Sequence, residues 1–291
     1  MNRVTREPLP GGPLVLAVSG RPGPPPLRFE TADGGWRLLR QGERPLMLGR
    51  LSDEDHCCRE LRLRRLDGYR SPLPPVRSAA MRGPGNWPHQ YARWLEETAQ
   101  GPLYDGRWSL TVRGSFAPGI WTEDLVTEWP DGRLELLCGG GWHGVVPLRR
   151  LSPPDAPRVK AYRKHAREGT LAPVLLWWVP ALDGWLILDG HDRAVAALAE
   201  DAPPPCVVLA RVREETEWRR TADDMTASHE ERLARLPPGR ARQRAALEAG
   251  YADAMSWLPY EETHTDLWPF PGTPATWEDL AARTMFECPR D

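Results

Sequence analysis

The sequence predicts an α+β protein in three parts: a β-rich N-terminal region over residues 1–150, an α/β module over 151–215 and a helical C-terminal section over 216–291. Three observations predict this class. Short apolar runs separated by turn residues fill the first half of the chain, which is typical of antiparallel strands. Helix-like and strand-like segments alternate after Pro153-Pro154. The last third carries helix-start signals and helical periodicity.

Two hairpin patterns indicate the strands of the N-terminal region. The turn residues Asp33-Gly34-Gly35 separate the apolar-rich runs 27–30 and 36–39. Pro130-Asp131-Gly132 likewise separates two such runs within 125–137. Residues 59–86 are rich in arginine and proline and match neither the helical nor the strand period, so we expect a loop there.

Alternating elements define the central module. Its second strand, at 185–188, is apolar throughout, as in a strand buried on both faces. In chain order we expect a helix at 158–168, strands at 174–179 and 185–188, a helix at 192–200 and a strand at 206–212.

Helix-start signals organise the C-terminal section. Ser228 and Glu231 have the spacing of a capping box, which predicts that a helix opens at Ser228. A second helix is expected to begin near Gly239, and Thr276 with Asp279 predicts the start of a last one.

Bulk properties restrict the function classes. The formal net charge is -2, which does not suggest a nucleic-acid coat or a membrane-surface protein, and we expect neither partner. No run approaches the roughly 18 apolar residues of a membrane span, and we expect no signal peptide. The five cysteines are irregularly spaced, which favours a reducing, cytoplasmic location. With 14 tryptophans the chain is tryptophan-rich.

The segment Asp189-Gly190-His191-Asp192-Arg193 carries the chemistry that we predict. It joins a buried strand to a helix whose first N–H groups and positive dipole end favour an anion. Gly190 permits a sharp turn and the close approach of a ligand. His191 offers a donor to an oxyanion, and Arg193 offers two N–H groups to a phosphate. The sequence therefore predicts a phosphate site formed by Asp189, Gly190, His191 and Arg193.

A purely structural alternative stays open for the same residues. Asp-Gly is a common turn dipeptide, so Asp189 would then cap the helix and Arg193 would be a solvated surface charge. Asp155, just before the module's first helix, has two interpretations as well. It is a general-base candidate or a helix-capping residue.

Residues 151–212 resemble the ParB/sulfiredoxin-like domain. The resemblance is carried by the order of elements and by the box at its centre. Gly190-x-x-Arg193-x-x-Ala196 fits the box of partition proteins, and Asp189–Arg193 matches four of five positions of the D-G-H-H-R form seen in free-serine kinases. The resemblance implies that Gly190, His191 and Arg193 contact nucleotide phosphates.

Three departures from the family limit what the resemblance implies. His191 stands where sulfiredoxins have cysteine, so their thiol chemistry is not expected. The second box of partition proteins contains asparagine, and the only asparagines of this chain, Asn2 and Asn86, lie upstream of the module. A DNA clamp is therefore not expected. Asp192 replaces the second histidine of the kinase form, which indicates either metal recruitment or a degenerate site.

Three hypotheses about function follow. The first is a nucleotide-dependent phosphotransferase or phosphohydrolase acting on a small molecule. It would use ATP or another nucleotide with Mg²⁺, Asp189 and Asp192 as metal ligands, and Asp192 or Asp155 for proton transfer. The second is a non-catalytic module in which a nucleotide or phosphorylated small molecule regulates contact with a protein partner. The third, a nuclease or DNA-binding protein, lacks a clear basic track.

Overall fold

The structure, a computed structural model, describes residues 3–8, 13–52, 60–83, 85–114, 116, 120–121, 133–136, 144–182, 184–212, 215–258 and 265–283. Two β-sheets and seven helices within these residues confirm the α+β class. The predicted hairpin at 125–137 lies outside them, except for one strand, Arg133–Leu136.

The strands fall into a seven-stranded and a six-stranded sheet. In chain order they are β1 (Arg3–Pro8), β2 (Leu14–Ser19), β3 (Leu27–Ala32), β4 (Trp36–Gln41), β5 (Arg44–Ser52), β6 (Glu60–Arg65), β7 (Gly106–Arg113), β8 (Arg133–Leu136), β9 (Gly144–Pro147), β10 (Val174–Val179), β11 (Gly184–Asp189), β12 (Cys206–Arg211) and β13 (Leu267–Pro269).

The helices lie between and after these strands. They are α1 (Ser78–Met81), α2 (Trp87–Glu97), α3 (Pro157–Arg167), α4 (His191–Leu198), α5 (Glu215–Ala234), α6 (Ala241–Trp257) and α7 (Pro274–Arg283). None of the described helices is both long and apolar enough to cross a membrane.

The seven-stranded sheet has the order β1-β2-β7-β12-β10-β11-β9. It is mixed, because β12 runs parallel to β10 and β9 parallel to β11, whereas β10 and β11 are antiparallel. Every residue of β11 and β12 is buried, as the uniformly apolar runs predicted. The predicted α/β alternation from α3 to β12 is confirmed, and β1, β2 and β7 of the N-terminal region extend the same sheet.

The six-stranded sheet has the order β13-β3-β4-β5-β6-β8. The first predicted hairpin is confirmed: β3 and β4 pair antiparallel up to Ala32 opposite Trp36. Gly34 and Gly35 in the turn have φ angles of 74° and 76°, a left-handed conformation that glycine adopts without strain. The C-terminal strand β13 adds to β3 in parallel.

The core lies on both faces of the seven-stranded sheet. Side chains alternate along its strands, so Leu175 and Trp177 of β10 face one cluster while Val174 and Leu176 face another. The first cluster joins the two sheets, with Phe29 of β3 and Trp177 5.7 Å apart between ring centres. Ala194 of α4 belongs to the second cluster, and Val195–Ala197 pack with Val159 and Tyr162 of α3 in a separate one.

The prediction of a loop at 59–86 is wrong for two parts of that segment. Strand β6 pairs antiparallel with β5 and β8, and α1 occupies Ser78–Met81. The alternation Leu61-Arg62-Leu63-Arg64-Arg65 is a strand pattern in which arginine replaces the usual neutral polar residues. Leu63 and Arg65 are both buried, so the arginine content concealed a two-residue period.

The predicted helix start at Ser228 is also wrong. Helix α5 runs unbroken from Glu215 to Ala234 and includes Ser228 and Glu231. A Ser-x-x-Glu spacing marks a helix start only where the preceding residues cannot continue a helix, and residues 215–227 contain neither proline nor glycine. Helix α6 occurs where the sequence predicted it, whereas α7 begins at Pro274, so Thr276 and Asp279 lie inside that helix and do not start it.

Candidate functional site

The predicted site lies at the carboxyl end of β11. Asp189 is the last residue of β11, Gly190 is the N-cap of α4, and His191 begins the helix. Gly190 has a φ of 97°, which an L-amino acid with a side chain adopts only with strain. The strand–turn–helix arrangement predicted around Asp189–Arg193 is therefore present.

Arg193 points into the protein interior and is 2% exposed. Its Nη2 atom donates to Asp189 Oδ2 at 2.8 Å, to the carbonyl oxygen of Pro173 at 2.9 Å and to the Tyr91 hydroxyl at 3.1 Å. Burial alone would lower the pKa of Arg193, but Tyr91 and Asp189 raise it above its ordinary value. Arg193 is therefore neither a solvated surface charge nor an open phosphate ligand in this conformation.

The guanidinium of Arg193 also accounts for Gly190. A Cβ atom on Gly190 would lie 2.7 Å from Nη2 and 3.0 Å from Cζ of Arg193. These distances are shorter than van der Waals contact, so the absent side chain makes room for Arg193. The sequence interpretation, in which Gly190 admits a ligand, is corrected on this point.

Asp189 is held from two sides. Its Oδ2 accepts from Arg193, and its Oδ1 accepts from the Ser71 hydroxyl at 2.8 Å. Two residues away, the Tyr69 hydroxyl donates to the carbonyl oxygen of Leu188 at 2.6 Å. Residues 69–71 are thus hydrogen-bonded to the carboxyl end of β11. No pattern in the predicted loop indicated Tyr69 or Ser71 as site residues, and no sequence pattern indicated that Tyr91 contacts Arg193.

His191 is buried and neutral. Its Nε2 accepts from the backbone N–H of Leu148 at 3.1 Å, so the ring proton is on Nδ1. Burial lowers the pKa of His191 well below its ordinary value, and the positive charges of Arg149, Arg65 and Arg193 lower it further. The predicted donation to an oxyanion is consequently restricted to Nδ1.

Asp192 holds arginines from two other segments. Its Oδ1 accepts from Arg149 Nη2 at 2.7 Å and from the Ser152 hydroxyl at 2.8 Å, and its Oδ2 lies 3.5 Å from Arg158 Nε. The sequence reasoning missed Arg149, Ser152 and Arg158 as site residues. Arg149-Arg150 was an available signal, since two adjacent arginines precede the module.

Asp155 lies apart from this network. It is exposed in the turn before α3, and no hydrogen bond or ion pair among the described residues joins it to Asp189–Arg193. The N-cap of α3 is Ala156, without a side-chain cap, so the helix-capping interpretation of Asp155 is wrong. Its role as a general base stays a prediction.

The residues present do not form a ready Mg²⁺ site. Asp189 and Asp192 each have an arginine and a serine hydroxyl on their oxygens. Within the described part of the chain, no three or more histidine, cysteine, aspartate or glutamate side chains cluster as metal ligands. The predicted metal-ligand roles of Asp189 and Asp192 would require these arginine contacts to be released.

The charges around the box favour an anion. Arg65, Arg149 and Arg193 all act electrostatically on His191, and Arg158 pairs with Asp192. Arg149, Arg158 and Arg193 contact the two carboxylates Asp189 and Asp192, so arginines outnumber carboxylates among these five side chains.

Comparisons with protein-family models, curated proteins and solved structures found no match to this chain. The resemblance to the ParB/sulfiredoxin-like domain therefore stays a prediction that depends on the box and on the order of elements around it.

We predict that Arg193→Ala destabilises the fold. It would leave the buried Asp189 without its counter-charge, whereas the Tyr91 hydroxyl still donates to the Pro173 carbonyl. We expect a loss of about 3 kcal/mol in the free energy of unfolding, measured by urea denaturation. Tyr91→Phe, which removes one hydroxyl, is expected to cost about 1 kcal/mol. As a control, Arg158→Ala, whose arginine side chain is 62% exposed, should cost well under about 1 kcal/mol. Equal stability of the Arg193 and Arg158 variants would contradict this account.

We also predict a pH dependence from His191. Its folded pKa lies below the ordinary 6.5, so below pH 6.5 the unfolded chain binds a proton that the folded protein does not. Stability is then lost as the pH falls below that value, by at most about 1.4 kcal/mol per pH unit. His191→Gln should show a correspondingly shallower fall in unfolding free energy between pH 6.5 and 5. Coincident slopes for the two proteins would show that His191 titrates normally.

Proposed function

We propose that this protein binds a phosphorylated small molecule, with a nucleotide as the leading candidate, at the N-terminal end of α4. The observation that carries the proposal is the pairing of the buried Asp192 carboxylate with two arginines that solvent can reach. The side chains of Arg149 and Arg158 are 36% and 62% exposed, whereas that of Asp192 is 7% exposed. Arginines in this arrangement can turn toward a phosphate without a change in the core.

The helix itself supports the same ligand. No side chain caps the N-terminus of α4, because the N-cap residue is Gly190. The backbone N–H groups of the first turn and the positive end of the helix dipole favour an anion there.

Exposed arginines rather than the predicted box residues are the proposed phosphate ligands. Arg149 lies just after β9 and Arg158 in the first turn of α3, so they reach Asp192 from separate segments. Guanidinium groups bind phosphate oxygens in pairs and keep their charge at any physiological pH. Mg²⁺, where present, would arrive on the nucleotide's phosphates.

The contacts favour a binding module over a phosphotransferase. Asp192, predicted as a metal ligand or base, is engaged by Arg149, Arg158 and Ser152, and Asp155 is not joined to it. We propose that ligand binding regulates contact with a protein partner. Helices α5 and α6, whose described side chains are mostly exposed, are the proposed contact surface. We also propose a cytoplasmic location, since Cys206 is a buried free thiol.

The test is calorimetric binding of ATP, ADP and CTP with Mg²⁺. We expect Arg149→Ala and Arg158→Ala each to weaken binding about five- to tenfold, as expected for a charge-assisted contact weakened by solvent screening. Arg167→Ala is the matched control: its side chain is 57% exposed and paired with Glu200 just beyond the other end of α4. Loss of affinity in all three variants, or no binding to any nucleotide, would contradict the proposal.

A further inference from the structure

A cavity of about 650 Å³ lies on the N-terminal half of α2. Its walls come from β1, from the proline segment before α1 and from α2 itself, and they include Trp87, Trp94, Arg77 and Arg93. This volume is within the range of small-molecule sites in proteins. None of the residues Asp189–Arg193 lines the cavity, so it is separate from the site described above.

The cavity is positively charged. The lining residues in the described part of the chain include arginine and histidine but no aspartate or glutamate. Arg6 is neutralised at one end by a two-nitrogen contact with Glu96, at 2.7 and 2.6 Å. Arg93 has a neutral partner, donating to Gln90 Oε1 at 3.1 Å, and Arg77 has no ion pair among the described residues. Two guanidinium charges thus remain without a carboxylate.

Gln90 holds one of the cavity's arginines in place. It lines the cavity, and its Oε1 accepts from Arg93 Nη2 at 3.1 Å. The Nε2 of the same amide is buried and has no hydrogen-bond partner within the described ranges, so it does not face the open cavity. Gln90 therefore positions Arg93 and is assigned no contact with the ligand.

Apolar ring surface completes the lining. Trp87 and Trp94 are partly buried, and Tyr91 lies between them with ring centres 5.8 and 5.7 Å away. Tryptophan surface beside arginine suits a planar ring that bears a negative charge, since the ring packs on the indoles and the charge meets the guanidinium groups.

We propose that this cavity binds a small anion that carries a planar ring, with Arg77 and Arg93 on the anionic group and Trp87 and Trp94 against the ring. The anionic group is a carboxylate or a phosphate. The proposal does not depend on the phosphate site at α4.

The experiment is calorimetry on the full chain with 1-naphthoate and with adenosine 5′-monophosphate, two probes that separate a carboxylate from a phosphate. We expect at least one to bind, with affinity reduced about tenfold or more in Arg77→Ala/Arg93→Ala. The neutral analogue 1-naphthalenemethanol and acetate, which has no ring, should each bind at least tenfold more weakly than 1-naphthoate. For adenosine 5′-monophosphate the corresponding controls are adenosine, which lacks the anionic group, and inorganic phosphate, which lacks the ring.

Three variants keep the test specific. Arg82→Ala removes an exposed arginine close in sequence that does not line the cavity, and it should leave binding unchanged. Arg149→Ala, in the proposed α4 phosphate site, should leave the binding of 1-naphthoate unchanged. Gln90→Glu places a negative charge in the cavity and should abolish binding. Failure of both probes to bind, or equal affinity in the double arginine variant and the wild type, would overturn the proposal.

Discussion

The burial of one guanidinium group determines how this part of the molecule is built. Arg193 carries a full positive charge in the interior, and such a charge is tolerated only where hydrogen bonds and a counter-charge surround it. Asp189, the Tyr91 hydroxyl and the Pro173 carbonyl provide them, so the end of β11, helix α2 and the entry to β10 are fixed relative to one another. Glycine at position 190 fits this arrangement, because a Cβ atom there would lie 2.7 Å from Nη2 of Arg193.

This arrangement separates a structural arginine from the arginines available to a ligand. Arg193 fixes the position of Asp189 through a buried ion pair. Arg149 and Arg158 lie at the surface and pair with Asp192. Burial and the positive charges of Arg149, Arg65 and Arg193 hold the pKa of His191 well below its ordinary value. Tyr91 contacts both Arg193 and the tryptophans of the α2 cavity, so helix α2 connects the buried arginine to that cavity.

The sequence predicted the elements that have a clear period or turn signal and missed contacts made across the fold. The uniformly apolar β11 and the glycine turn at 33–35 gave unambiguous patterns. Strand β6 was missed because arginines occupy the polar positions of its two-residue period. The box Asp189–Arg193 was located correctly, but the direction of Arg193 depends on Tyr91, about 100 residues earlier, and on Pro173. No local pattern carries that information.

Asp192 holds Arg149 and Arg158 in place, and we propose that it competes with a phosphate ligand for them. The measurement that tests it most directly is the affinity of Asp192→Asn for pyrophosphate without added metal. Asparagine keeps an oxygen for Arg149 and Ser152 but removes the competing charge, so we predict severalfold tighter binding, most marked at low salt. Weaker binding in this variant would contradict the account, since it would mean that the carboxylate itself contributes to holding the ligand.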